Sequence, residues 1–392
     1  MSVTELRLGY LPLIDAAPLF VAQALGFAEE EGLNLRLQPA PSWSTLRDML
    51  SVGQVVAAHM LAPVPIAIAM GLGAGAAPLE ALMVLNLNGN TIGVSAELAE
   101  RMRAQGYDFD FTDAARARDA LLAGSKTLRV GVPFPFSTHH LLIQYWLRDA
   151  GQGLPAGLEI HTVPPPRMVT ALAAGEIDVF CVGEPRGSVA VEKGAGALLL
   201  PGSAIWQAAP EKVLAARTGW AEAEPHLAGS LMRALWRAGQ WLSLPENHSV
   251  ASELLTASGR LDVSAEVVER VLSGRLVISP AGGERRVNRF LEFHTGAANF
   301  PWRSQAAWIG AQLARRHGVD PAQAVTAART VFRSDLYRRH LQAAGAELPS
   351  ASDKLEGALA VPTAAASTQG RLILQPDQFF DARIFDPAAP DC

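Results

Sequence analysis

Ala57-Ala58-His59-Met60-Leu61-Ala62-Pro63-Val64-Pro65 is a short apolar run broken by one histidine, and it closes on a proline turn before the helical stretch Ile66–Leu72. A strand that stops at a polar residue and a turn sets that residue at the carboxyl edge of a sheet, where open α/β sheets bind ligands. Two other stretches repeat the plan. Val130–Pro133 runs into Phe134-Pro135-Phe136-Ser137-Thr138-His139, and Val179–Val182 runs into Gly183-Glu184-Pro185. Three such strand ends predict one crevice that takes a small ligand.

The rest of the chain is consistent with that idea. Its 392 residues suffice for two domains of about 150 residues each. Hydrophobic residues make up 49% and charged residues 18%, which excludes a disordered chain. A formal net charge of -5 with no basic cluster argues against nucleic-acid binding. Cys181, inside an apolar strand, and Cys392, at the end, make neither a disulfide framework nor a metal-ligand spacing, and no cofactor motif is read. The run Met1–Pro12 alternates like a strand, without a basic or long apolar leader. Later apolar runs fall short of the ~20 residues a membrane helix needs. A soluble, cytoplasmic chain is the expectation.

In order, Leu6–Leu11, Leu33–Leu37, Leu79–Leu87 and Thr91–Ser95 read as strands, Ala16–Glu30 as a helix and Asn88-Gly89-Asn90 as a turn. Ser42 or Ser44 can cap a short helix that begins at Trp43. Past residue 96 come helices Leu98–Gln105 and Ala114–Ala123. A βαβαβ run then spans strand Leu128–Val132, helix Thr138–Ala150, strand Leu158–Val163, helix Arg167–Ala174 and strand Val179–Val182. Ala195–Leu200 and Lys212–Ala216 carry the chain back; helices dominate from Pro225, and Gly345–Gln369 wraps the surface. The layout is α/β with two lobes: lobe I from 1–95 plus 216–392, and lobe II inserted as 96–215. Hinge segments near residues 95 and 215 would let the lobes close on a ligand.

The order of motifs resembles the nitrate/bicarbonate-binding protein family of ABC transporters, a branch of the type II periplasmic-binding fold. The matching residues are Leu8–Leu19, Trp43 with Arg47-Asp48, His59-Met60-Leu61-Ala62-Pro63, Tyr145-Trp146 and Val163-Pro164-Pro165-Pro166. They continue through Gly183-Glu184-Pro185, Ile205-Trp206, Pro210-Glu211-Lys212, Phe379-Phe380-Asp381 and Phe385-Asp386-Pro387. The missing leader makes the chain similar to the cytoplasmic NasS-like nitrate/nitrite sensor branch. That likeness implies a partner, an ANTAR-type RNA-binding antiterminator held inactive without ligand.

Nitrate is a small planar monoanion that needs several in-plane donors and partial neutralisation in a dry cleft. The resemblance implies a ligand contact for Trp43, whose indole N–H can donate, although a packing tryptophan would look the same. Asn88 falls near the family's amide contact, or is a turn asparagine. His59 and His139 are donors or, equally, ordinary histidines. Glu184 repels an anion unless paired or protonated, so its expected task is orientation, with Gly183 and Pro185 shaping the pocket. Family members tend to carry a lysine directly after the Ile-Trp pair, where this chain has Gln207. Losing that cation would cost about 1.5–3 kcal/mol, unless Lys212 or Arg47 takes over. Two alternatives remain: the binding component of an ABC transporter, and an enzyme on the same fold. Against the enzyme, no nucleophile with a partnered base, phosphate loop or paired carboxylates is read; Gly71-Leu72-Gly73-Ala74-Gly75 reads as a loop.

Overall fold

Ten strands form the body of two sheets: β1 (Thr4–Tyr10), β2 (Leu33–Pro39), β3 (Ala57–Leu61), β4 (Leu79–Asn88), β5 (Asn90–Ser95), β6 (Leu128–Val132), β7 (Leu158–Thr162), β8 (Val179–Gly183), β9 (Gly196–Pro201) and β10 (Pro210–Arg217). The computed structural model describes residues 3–73, 75–123, 127–148 and 153–389. Cys392, Ala74 and the Ala150 end expected for the 138 helix lie outside the described residues.

The first sheet runs Leu291–Glu292, β4, β10, β3, β1, β2, and the second runs β7, β6, β8, β5, β9. β1, β2 and β3 pair in parallel, while β10 threads antiparallel between β3 and β4. In the second sheet β6 is parallel to β7 and β8, and β5 is antiparallel to β8 and β9. β3, β4, β8 and β9 are buried along their whole length, as near-continuous apolar strands covered on both faces should be. Among the described residues no helix is long and apolar enough to cross a membrane.

The chain changes sheet at Gly89, between β4 and β5, and returns between β9 and β10. Residues 95 and 215, where the sequence places the hinge, fall at the end of β5 and inside β10. Asn88-Gly89-Asn90 is thus a crossing and not a hairpin turn. It needs left-handed backbone at Asn88 (φ 57°) and Gly89 (φ 87°), which asparagine and glycine adopt most readily. The helix expected over Ala16–Glu30 is also divided. Its main part, Ala17–Ala24, ends before Gly26 (φ 78°), and Phe27–Glu30 starts anew.

Beyond Glu347 the chain becomes a strap that joins both halves. Its half-buried Lys354 lies between two buried carboxylates, Glu356, at 2.5 Å, and Asp377. Phe379 stacks on Trp206 and Trp308 with centroids 4.9 and 5.6 Å apart. Tyr145, on the helix that follows β6, donates its hydroxyl to Asp381 at 2.9 Å. Replacing Phe379 with alanine empties this aromatic stack, and a loss of about 3–5 kcal/mol is expected from urea unfolding midpoints.

Candidate functional site

The carboxyl edges of β1, β3 and β8 meet where the two sheets face each other, and three contacts fix the approach. The Ile14 N–H donates to the Glu184 carbonyl at 3.0 Å, Glu184 N–H donates to the Gly89 carbonyl at 3.1 Å, and Thr138 Oγ1 donates to the Pro210 carbonyl at 2.8 Å. Two helices start at this edge. Ser42 accepts from the Thr45 N–H to cap Trp43–Ser51, and Ser137 accepts from the His140 N–H to cap Thr138–Leu147. Ser42 is one of the two caps expected from the sequence, and Ser137 carries no cap assignment there; the caps hold Trp43 and His139 in the first turns of their helices.

Around this edge lies a buried ionic cluster. Lys212 Nζ sits 2.7 Å from Asp15 Oδ2 and 2.9 Å from Glu211 Oε1. His59 Nε2 lies 3.0 Å from Asp15 Oδ1, and His139 Nδ1 lies 3.1 Å from Glu211 Oε1. Asn90 Nδ2 donates to the second Glu211 oxygen at 3.0 Å. Trp43 closes one side, its ring 5.4 Å from Lys212 Nζ and 5.8 Å from the His59 ring. All seven residues are buried. Cavities of 550 Å³ beside Arg129 and Asp178 and of 280 Å³ beside Trp236 and His294 lie elsewhere on the protein.

Glu211 and Lys212 are consecutive, so regular strand alternation would throw them to opposite faces. Register shifts against β4 on both sides of Lys212 break that alternation and let both reach the cluster. Gly183 matters by what it lacks. A Cβ there would stand 3.4 Å from Asp15 Oδ2 and 3.9 Å from His139 Nε2, so the missing side chain leaves room beside both.

Burial sets the charge states. It pushes the Asp15 carboxyl up, but Lys212 and His59 outweigh it and hold Asp15 well below the usual carboxylate range. Lys212 is likewise opposed by burial and raised by its two carboxylates, so it stays charged. Glu211 is pushed up by burial despite Lys212. His59 and His139 are pushed down by burial and are neutral at pH 7. Trp43 Nε1 and both ring nitrogens of His59 and His139 have no hydrogen-bond partner in the protein, although His59 Nε2 and His139 Nδ1 each face a carboxylate oxygen. Unpaired buried ring nitrogens beside a lysine are what a small planar monoanion requires. Among the described residues no group of three or more His, Cys, Asp or Glu side chains could hold a metal ion.

Of the residues singled out in the sequence, Trp43, His59, His139, Gly183 and Lys212 come together. His59 arrives from the middle of β3, not from its end, because the strand continues to Leu61 before the proline turn. Glu184 accepts from Thr91 Oγ1 at 2.9 Å and from the Ser188 N–H at 3.0 Å, so its carboxylate anchors the turn after β8, where Pro185 is buried. Asn88 donates to the Gln207 carbonyl at 2.8 Å and serves the crossing. Gln207 binds the strap, exchanging hydrogen bonds with the Gln378 backbone at 3.0 and 3.1 Å. Arg47 is paired with its neighbour Asp48 at 2.8 Å. The cation of the site is therefore Lys212, and Gln207 does not stand in its place. Asp15, Glu211 and Asn90 carry no assignment from the sequence; the nearest signal for Asp15 is a lone carboxylate in the apolar run Leu11–Leu19.

The profile of the NMT1-like family matches residues 1–256. The nitrate/nitrite binding protein NrtA of Nostoc sp. strain PCC 7120 is 28% identical over 402 aligned positions, which cover 100% of this chain and 85% of that protein. The nitrate import ATP-binding protein NrtC of Synechococcus elongatus is 33% identical over 354 positions, and this chain spans about half of it: 89% of this chain aligns with 51% of NrtC. The crystal structure of the periplasmic nitrate-binding protein NrtA from Synechocystis PCC 6803 superposes with a TM-score of 0.83 at 27% identity, covering 99% of this chain and 97% of that one. The fold is the type II periplasmic-binding fold, as the sequence resemblance implies.

The neutral histidines give a pH signature. Burial, with Arg316 and His317 nearby, pushes His140 down to about 3 from an ordinary 6.5. His59 and His139 shift in the same direction. A histidine lowered in the folded state contributes stability that is full above 6.5 and is lost as pH falls, because the unfolded chain binds the proton first. Scanning calorimetry between about pH 7.5 and 5 is expected to show a falling melting temperature, and His140→Gln is expected to shrink the fall.

Proposed function

The chain belongs to the NMT1-like family, among the nitrate- and bicarbonate-binding proteins, and from that premise we propose that it binds nitrate or nitrite around Lys212. One observation carries the reading: a fully buried lysine lies beside three aromatic rings, Trp43, His59 and His139, whose nitrogens have no hydrogen-bond partner in the protein. A monoanion in that space gains one cation and an indole donor, with the unpartnered faces of two imidazoles beside it. The names of the two NrtA relatives support the choice of anion. The proposed action is binding, not catalysis, since the cluster holds no nucleophile beside a base and the Cys181 thiol is pushed far up by burial.

The finer reading is a cytoplasmic sensor. The anion favours the closed arrangement of the two sheets, and closure alters the surface offered to an ANTAR-type antiterminator, which the protein holds in the absence of ligand. The anion shifts that equilibrium only by its difference in affinity between the open and closed forms. A second reading, the substrate-binding component of a nitrate ABC transporter, is favoured by the likeness to the nitrate/nitrite binding protein NrtA and to the nitrate import protein NrtC. Purification with the antiterminator separates the two: a complex that nitrate dissolves supports the sensor, and absence of a complex with or without nitrate supports the transporter component.

Titration calorimetry with nitrate, nitrite, bicarbonate and a neutral control is expected to give one-to-one binding of nitrate or nitrite. Trp43→Phe keeps the packing ring and removes the buried N–H. Affinity should drop roughly 10- to 100-fold, the worth of one hydrogen bond to a charged group. Unchanged affinity would remove Trp43 from the site.

A further inference from the structure

The five ionisable groups of the cluster form one linear sequence of contacts: His59, Asp15, Lys212, Glu211, His139. With both imidazoles neutral they comprise two carboxylates and one cation, a net negative charge of one. None is more than 2% exposed, so water screens little of that charge. A second negative charge cannot settle there at low cost.

The hydrogen count on His139 sharpens the conflict. A neutral imidazole carries one N–H. Neither ring nitrogen of His139 makes a hydrogen bond within the protein, but the Glu211 oxygen lies 3.1 Å from Nδ1, and while it is ionised its charge favours the tautomer with the hydrogen on Nδ1. Nε2 is then a bare lone pair, in the space that Gly183 leaves open, where the Cβ position is 3.9 Å away. A lone pair repels an anion. One added proton on the Glu211–His139 pair reverses this. Either Glu211 is the acid and donates to Nδ1, or the imidazole is doubly protonated against the carboxylate; in both cases Nε2 bears a hydrogen and becomes a donor.

We propose that this site takes up its anion together with one proton, held between Glu211 and His139. The proposal rests on the nitrate/nitrite reading above and deepens it. The other end of the cluster is a poorer host for the proton, because Lys212 stands closer to Asp15, at 2.7 Å, than to Glu211, at 2.9 Å. Four groups face the pair: Lys212 from β10, Asp15 from the segment after β1, Asn90 from β5 and the Cys181 thiol from β8. Of these, Lys212 opposes protonation of the imidazole and Asp15 favours it. Burial pushes Glu211 upward, while Asp15 is held down by its two neighbours. Binding therefore strengthens as pH falls, in the opposite direction to the folding stability of the empty protein.

The test is calorimetry of the full chain with potassium nitrate near pH 7, in phosphate and in Tris, whose ionisation enthalpies differ widely. The two apparent heats should differ by the amount that uptake of about one proton requires, and affinity should fall ~tenfold per pH unit where the free pair is unprotonated. Nitrate binding with equal heats in both buffers and a flat pH profile overturns the proton and leaves the nitrate reading intact. No binding by heat or by melting shift at any pH overturns the nitrate reading itself. Glu211→Gln offers a permanent amide donor in place of the acid, so its uptake should drop close to zero. Full uptake retained in that folded variant would place the proton elsewhere and overturn the assignment.

Discussion

A charged lysine held wholly out of water is the constraint from which the site follows. An isolated ammonium could not exist there, and Asp15 and Glu211 on either side make it tolerable. The cluster gathers distant parts of the chain: Asp15 comes from just after the first strand, Glu211 and Lys212 from consecutive positions on β10, and His139 beyond Glu211 from the other half of the molecule. The Asp15–Lys212 and Glu211–His139 pairs are thus also ties between parts of the fold. Removing either carboxylate from Lys212 would leave a buried charge uncompensated, so site and scaffold depend on the same few contacts.

Much of the architecture could be read in the sequence because its strands are short apolar blocks ended by glycine, proline or a capping serine. β3, β6 and β8 are of this kind, and Ser42 marks a helix start. The boundary between the sheets was harder to read, since Asn88-Gly89-Asn90 has the composition of a hairpin turn. Only the partners of β5, which lie in the second sheet, show the segment to be a crossing. Helix Ser334–Leu341 escaped notice for a related reason: with Arg338, Arg339 and His340 in its last turn it looks like a solvated segment, yet Leu336, Tyr337 and Leu341 are buried.

The site was legible in its aromatic and imidazole members and not in its ion pairs. Trp43, His59 and His139 stand out as polar or amphipathic side chains among apolar neighbours. Pairing between Asp15 and Lys212 spans nearly two hundred positions, and nothing local announces it. The irregular register of β10 hid the rest, because a two-residue period assigns Glu211 and Lys212 to opposite faces. Gln207 misled for a third reason: it follows Ile205-Trp206 directly, but those residues belong to the strap's docking surface, and the strand that bears the cation starts only at Pro210.

The contacts that draw the two halves together at the ligand edge run largely through main chain: Ile14 N–H to the Glu184 carbonyl, and Thr138 hydroxyl to the Pro210 carbonyl. A clasp made of peptide groups does not depend on which side chains stand at Ile14, Glu184 or Pro210. Substitution there leaves its donors and acceptors in place, whereas adding or deleting one residue in the segment between Leu11 and Asp15 would slide the donor past its acceptor. Loop length, more than residue identity, is what evolution must hold fixed for this closure to persist.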